Sequence, residues 1–261
     1  SDLDGSVEYV PLGVYFVDEA VHGEYGVSIK AYDAMLKFER PITVDQTYGA
    51  AYALIKMACQ NCGVDLENSA QSIRQFPNAE EELWLYAEND VETWRDLLYW
   101  IGQALCGFWT INRKGRLELR RYGMSVRNAI PSTMRYKDAS FSDYVTRYTG
   151  ISIVKAESNE ELYYAIQEDD ALTYTLGANP LLQYGSDEDM ERRCRAILGE
   201  LQNIEYIPFS ASVLHGAPYD LGDVIRFVDG RADSDKVSCV MLWEYDGNKI
   251  QLAGYGTNPA D

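Results

Sequence analysis

The last quarter of the sequence is cut into short pieces by turn signals. Asp220-Leu221-Gly222, Asp229-Gly230 and Asp246-Gly247-Asn248 separate four runs: Glu205 to Leu214, Val224 to Val228, Lys236 to Trp243 and Lys249 to Tyr255. Each run is short and rich in Val, Ile, Phe, Tyr or Trp, and the second half of the first run alternates apolar with polar residues. Strands at this spacing make the region all β, a small barrel or sandwich.

Elsewhere the period changes. Tyr48, Ala51, Tyr52, Leu54, Ile55, Ala58 and Cys59 recur at helical spacing, with Thr47 placed as N-cap and Gly63 as the residue that ends the helix. Trp94, Leu97, Leu98, Ile101, Ala104 and Leu105 make a second helical stripe over about 91–105. Ser186 followed by Asp187-Glu188-Asp189 opens a third helix, with core face Met190, Cys194, Ile197, Leu198 and Leu201. Phe108 to Ile111 and Leu117 to Leu119 form a hairpin around Asn112-Arg113-Lys114-Gly115. Near the start, residues 7–16 and Val27 to Tyr32 read as a strand pair with a turn at His22 to Gly26, followed by a helical turn at Asp33 to Phe38. Strands are also expected at 146–154, 162–166 and 172–176. The fold class that follows is α+β: two β-barrel-type domains, the first incomplete, joined by a smaller α/β region with helices and a hairpin. The boundaries are 1–45 for the first barrel part, 46–122 for the helical and hairpin domain, 123–145 for a connection, and 146–261 for the second barrel with a helix inserted near 187–203.

At 261 residues the chain is long enough for two domains, or three short ones. Its formal charge of −18 argues against a nucleic-acid coat and against an anionic membrane surface. No apolar run approaches the roughly 18 residues of a membrane span, and the first residues do not read as a signal peptide.

Catalytic motifs are sparse. The two histidines, His22 and His215, sit in a turn and a loop, and no G-x-S-x-G elbow accompanies them. No phosphate-binding glycine loop occurs. Cys59 and Cys62 form a C-x-x-C, which reads as half a zinc site, a redox pair, or two small apolar residues at a helix end. No second metal-ligand pair exists, and the motif ends a helix rather than starting one, so the last reading is expected. The odd cysteine count, five, fits a reducing compartment. Asp18-Glu19 and Glu168-Asp169-Asp170 are expected to be solvated acids rather than a glycosidase pair. Asp229 to Asp235 lacks the spacing of a calcium loop. Trp94, Trp100 and Trp109 are expected in the core rather than in a carbohydrate site. No catalytic, cofactor-binding or metal-binding residue is assigned, and no cofactor is expected. The strongest basic cluster, Arg113, Lys114 and Arg116 with Arg120-Arg121 beyond, reads either as a solvated hairpin tip or as an interface to an acidic neighbour.

Several of these segments together resemble tail proteins of phages and prophages of Gram-positive bacteria. The residues are Pro11 to Glu19, Val27 to Phe38, Thr93 to Leu98, the hairpin Gly107 to Leu119, Asn179-Pro180-Leu181-Leu182, the Tyr206-x-Pro208 step and Leu221 to Ile225, in the family's order along nearly the whole chain. The resemblance implies a tail-tip or baseplate hub component, located in the virion tail. It implies partners that are copies of itself, as a homotrimer, and other tail or baseplate proteins. Three copies would form a ring of barrels between the tail tube and the tip. A strongly acidic wall would then pass polyanionic DNA without holding it. Two alternatives from other classes are a tail-associated cell-wall-degrading enzyme and a host-surface carbohydrate-binding module.

Overall fold

The structure is a computed structural model. It describes residues 9, 11–42, 47–86, 89, 91–137, 139–166, 172–214, 219–230 and 235–260. Strands dominate, with a few helices, so the class is mixed α+β. The chain divides into two compact units, Ser1–Gly102 with Phe108–Leu119, and Gln103–Gly107 with Arg120–Asp261.

The first unit begins with a two-stranded antiparallel ribbon, β1 (Phe16–Gly23) and β2 (Gly26–Tyr32). The strand expected over 7–16 therefore starts where it was to end; residues 1–8 and 10 lie outside the described residues. Pro11 lacks the N–H that a ladder needs, so the regular strand starts beyond it. His22 lies in β1 opposite Val27, not in the turn, which is Glu24-Tyr25. A 3-10 helix, Ala34–Glu39, follows as expected, with the Asp33 carboxylate accepting from the Met35 N–H.

Next come β3 (Thr47–Gly49), α1 (Ala51–Cys62), α2 (Ala70–Ile73), β4 (Leu83–Leu85) and α3 (Trp94–Ala104). The expected cap Thr47 is instead a strand residue opposite Leu85. Pairing of β3 with β4 takes the residues before the helix, and α1 starts after Ala50 with no side-chain cap. Gly63 does end α1, in the left-handed conformation at φ 64, with its N–H on the Cys59 carbonyl. There a Cβ would strain the backbone. Thr93 and Asp96 cap α3 reciprocally, the Thr93 hydroxyl accepting from the Asp96 N–H and the Asp96 carboxylate from the Thr93 N–H. The hairpin of β5 (Gly107–Ile111) and β6 (Leu117–Arg121) is as expected. Phe38, Leu54, Ile55, Ile73, Leu83, Trp94, Leu97, Leu98 and Leu117 are fully buried and form this unit's core.

The second unit carries three sheets. The stretch read as a connection holds two short strands, β7 (Asn128–Pro131) and β8 (Ser140–Phe141). Then come β9 (Gly150–Val154), β10 (Glu161–Ala165), β11 (Thr173–Thr175), α4 (Asp187–Leu201), β12 (Phe209–Leu214), β13 (Val224–Val228), β14 (Val237–Cys239), β15 (Leu242–Tyr245) and β16 (Lys249–Gly254). The sheets run β10-β9-β11, β15-β16-β12-β8 and β14-β13-β7. The last two share one core: Ile130, Phe209, Ala211, Val213, Tyr219, Ile225, Phe227, Val240, Ile250 and Leu252. Among the described residues no sheet closes into a barrel. No helix among them is long and apolar enough to cross a membrane.

Helix α4 packs on β9 and β10, and its expected core face is buried throughout. Its N-terminus is a full capping box. The Ser186 hydroxyl accepts from the Asp189 N–H, and the Asp189 carboxylate accepts from the Ser186 N–H and hydroxyl. These bonds, with Arg192, hold the Asp189 carboxyl down at about 2. A group depressed in the folded state adds stability above its unfolded pKa and loses it as pH falls through the folded value. Ser186→Ala is expected to cost about 1 kcal/mol in thermal unfolding, as an N-cap loss does. NMR titration should then find the Asp189 carboxyl raised, though still below the ordinary aspartate range, because Arg192 and the residue 186 N–H remain.

Candidate assembly surfaces

The hairpin between β5 and β6 turns at residues 112–116. Asn112 organises it, its side-chain carbonyl accepting from the Lys114 and Arg116 N–H groups. Gly115 takes φ 77, and a Cβ there would meet Val14 Cβ at 3.0 Å. The three basic residues singled out in the sequence do come together here, and each has a partner within the first unit. Lys114 Nζ and Arg116 Nη1 both lie 3.2 Å from the Glu67 carboxylate, one on each oxygen. Arg113 donates to the Pro11 carbonyl at 3.1 Å. Glu67 is held below the usual carboxylate range, first by the hydrogen bond from Lys114. The tip is therefore a clamp between Glu67 and two cations, and with Arg113 the three cations outnumber the one carboxylate, so the tip stays net positive.

A different surface stands out in the ribbon. Except for Ala31, every residue of β1 and β2 is exposed. The register places Val17 opposite Ala31, Ala20 opposite Ile29, and His22 opposite Val27, so these six share one face. A register shift between Val17 and Glu19 makes this possible, because the extra residue restores Val17 to the phase of Ala20. Five of the six are apolar, and Val17 and Ile29 are 64% and 61% exposed. The other face carries Glu19, Lys30, Val21, Ser28 and the rings of Phe16 and Tyr32, with Lys37 over Phe16 and Lys30 over Tyr32. An exposed apolar sheet face of this kind, backed by a charged one, is a candidate contact surface.

The sequence reading missed two further groupings. Tyr48 and Trp84, opposite each other on β3 and β4, stack at 4.6 Å and 12°, and Trp84 also stacks with Tyr86 at 6.3 Å. The indole faces are turned toward neighbouring rings, which suits a cross-strand brace better than a sugar platform. In the second unit the fully buried Asp223 carboxylate meets Arg120 at 2.9 Å and Arg127 at 3.2 Å, and accepts from the Asp220 N–H. Both groupings join residues far apart in sequence or lie on short strands, so no local spacing signals them.

The remaining candidates are placed as follows. Cys59 and Cys62 are buried free thiols, and desolvation pushes Cys59 up to about 12, the opposite of an activated thiolate. Trp94 is buried, whereas Trp100 and Trp109 are half-buried; the Trp109 indole N–H donates to the Leu98 carbonyl. Asp18 and Glu19 sit at the β1 bulge. His215, Glu168-Asp169-Asp170 and most of the 229–235 loop lie outside the described residues. Among the described residues no three His, Cys, Asp or Glu side chains converge as metal ligands would.

The fold is similar to that of several solved tail proteins. The chain shares its fold with a 43 kDa tail protein of prophage MuSo2 from Shewanella oneidensis (TM-score 0.58, 13% identity, covering 94% of this chain and 79% of that one). It also shares it with prophage tail protein gp18 from Listeria monocytogenes (0.56, 14%, 97% and 80%) and with a tail protein from Neisseria meningitidis (0.59, 12%, 93% and 79%). Three bacterial genera are represented, so the likeness carries no restriction to Gram-positive hosts. No protein-family model matches the sequence, and no curated protein matches it.

Proposed function

We propose that this chain is a non-enzymatic structural component of a phage or prophage tail, a tail-tip or baseplate hub protein located in the virion. The observation that carries the reading is the shared fold with three tail proteins over nearly the whole chain. In this reading three copies form a ring between tail tube and tip, in contact with one another and with other tail proteins. The ribbon region within 1–45 contributes to one barrel-type wall. Residues 146–261, with β7 and β8, contribute to the other, and 46–122 forms the helical and hairpin region that joins them. The apolar face of the ribbon supports this role, because obligate assembly interfaces are more apolar than the rest of a surface. The −18 charge favours solubility of the free subunits.

Electron microscopy of tails purified from the particle tests the proposal, with the chain marked by a specific antibody. Label at the tail tip and threefold density there are expected. Label along the tube, or a chain missing from purified tails, would overturn it. Purified chain incubated with cell-wall material should release no soluble sugar or peptide.

A further inference from the structure

The ribbon has two outer edges, and among the described residues neither is paired. They are not equivalent. The β1 edge is blunted by the bulge at Asp18 and by the acids Asp18 and Glu19. Bulges and charges of this kind are what keep an edge strand from accepting another strand. The β2 edge, Gly26-Val27-Ser28-Ile29-Lys30-Ala31-Tyr32, has no bulge, no proline and one charge.

The register says which groups face outward. The two-residue turn makes Gly23 and Gly26 a hydrogen-bonded pair. Alternation then turns the backbone N–H and C=O of Gly26, Ser28 and Lys30 toward β1, and those of Val27, Ile29 and Ala31 toward the open edge. We propose that, in the unassembled chain, this edge pairs with β2 of a second copy, antiparallel about a two-fold axis through Ile29.

The pairing is self-complementary. Val27 falls opposite Ala31 of the second copy, Ser28 opposite Lys30, and Ile29 opposite Ile29. No like charges meet, and the three outward residues supply about six backbone hydrogen bonds. The same operation applied to β1 sets acids near acids at a bulge. Both apolar faces end on the same side of the four-stranded sheet, and a sheet of more than two strands with an apolar face is what a lone ribbon lacks for stability. This contact goes beyond the ring reading. Ring contacts run head to tail, whereas this one is two-fold and uses a strand edge.

Because Ile29 meets its own copy, charge reversal tests the register directly. Wild type, Ile29→Lys and Ile29→Glu are followed by sedimentation and light scattering over a concentration series in about 0.15 M salt, which screens the long-range repulsion between acidic copies while leaving a directly opposed charge pair effective. Ile29 is exposed, so either substitution leaves the unit folded, as circular dichroism should confirm. A wild-type dimer is expected. Each variant alone should pair roughly tenfold more weakly or worse, and a one-to-one mixture of the two should restore the dimer. A wild type that stays monomeric overturns the pairing. So does a dimer or trimer untouched by Ile29→Lys, or a mixture that stays monomeric. A trimer untouched by these changes leaves the ring standing, whereas absence of the chain from tails removes the ring and leaves the edge pairing.

Discussion

Phe227→Ala is expected to destabilise the second unit by about 3–5 kcal/mol, the range for deleting a buried aromatic ring. Phe227 is fully buried at the meeting of two sheets. It stands on β13 in one sheet and makes edge contacts at 5.0 Å with Phe209 on β12 and 4.7 Å with Phe141 on β8, both in the other. The Arg135 guanidinium covers part of the ring at 5.5 Å. Removing the ring therefore opens a cavity whose walls belong to two different sheets and cannot close without moving one of them. A domain of this size loses about 2–4 °C of midpoint per kcal/mol, so thermal unfolding should fall by roughly 10 °C. Phe227→Leu keeps most of the volume and should cost far less. A loss below about 1 kcal/mol for the alanine variant would mean that the two sheets do not share a core.

The part of the fold that reads from sequence is the part whose partners are close along the chain. Helix α4 is announced by Ser186 and Asp189 three residues apart, and its buried stripe repeats at the helical period. The β5–β6 hairpin carries its own turn. The strands that did not read are those fixed by distant partners. Ser140 and Phe141 form a two-residue strand on β12, and Asn128 to Pro131 runs parallel to β13. Neither has room for a period. The run from Lys236 to Trp243 reads as one strand because it is mostly apolar and holds no glycine or proline. It breaks at Val240, whose N–H goes to the Asp223 carbonyl, and at Met241, whose N–H goes to Ala253.

The hairpin tip is legible only in part, for a related reason. A cluster of Arg113, Lys114 and Arg116 is plain in the sequence, but Glu67, the carboxylate that holds Lys114 and Arg116, lies 47 residues before Lys114. The ribbon was partly visible through Val27 to Tyr32. Its first strand is masked in the sequence because Asp18-Glu19-Ala20-Val21-His22-Gly23 shows no simple alternation. The bulge breaks the period there, and with both faces exposed no burial requires it.

Asp223→Ala is expected to cost about 3 kcal/mol, the lower end for breaking a buried ion pair. The carboxylate has no solvent contact, whereas the Arg120 side chain is 18% exposed and that of Arg127 62%. Water screens Arg127, so Arg127→Ala should cost less than about 1 kcal/mol. Arg120 is different: it also donates to the Leu221 carbonyl, and so ties the end of β6 to the turn before β13. The carboxylate further accepts from the Asp220 N–H, which closes that turn. Losing Asp223 leaves the Arg120 guanidinium without its carboxylate in a place with little water. A double-mutant cycle separates this pair from simple loss of packing. Asp223→Ala and Arg120→Ala together should cost about 1–2 kcal/mol less than the sum of the two, because the second change removes the stranded partner. Strict additivity in denaturant unfolding would reduce the Leu221-Gly222-Asp223 turn to a matter of backbone shape, with no electrostatic anchor.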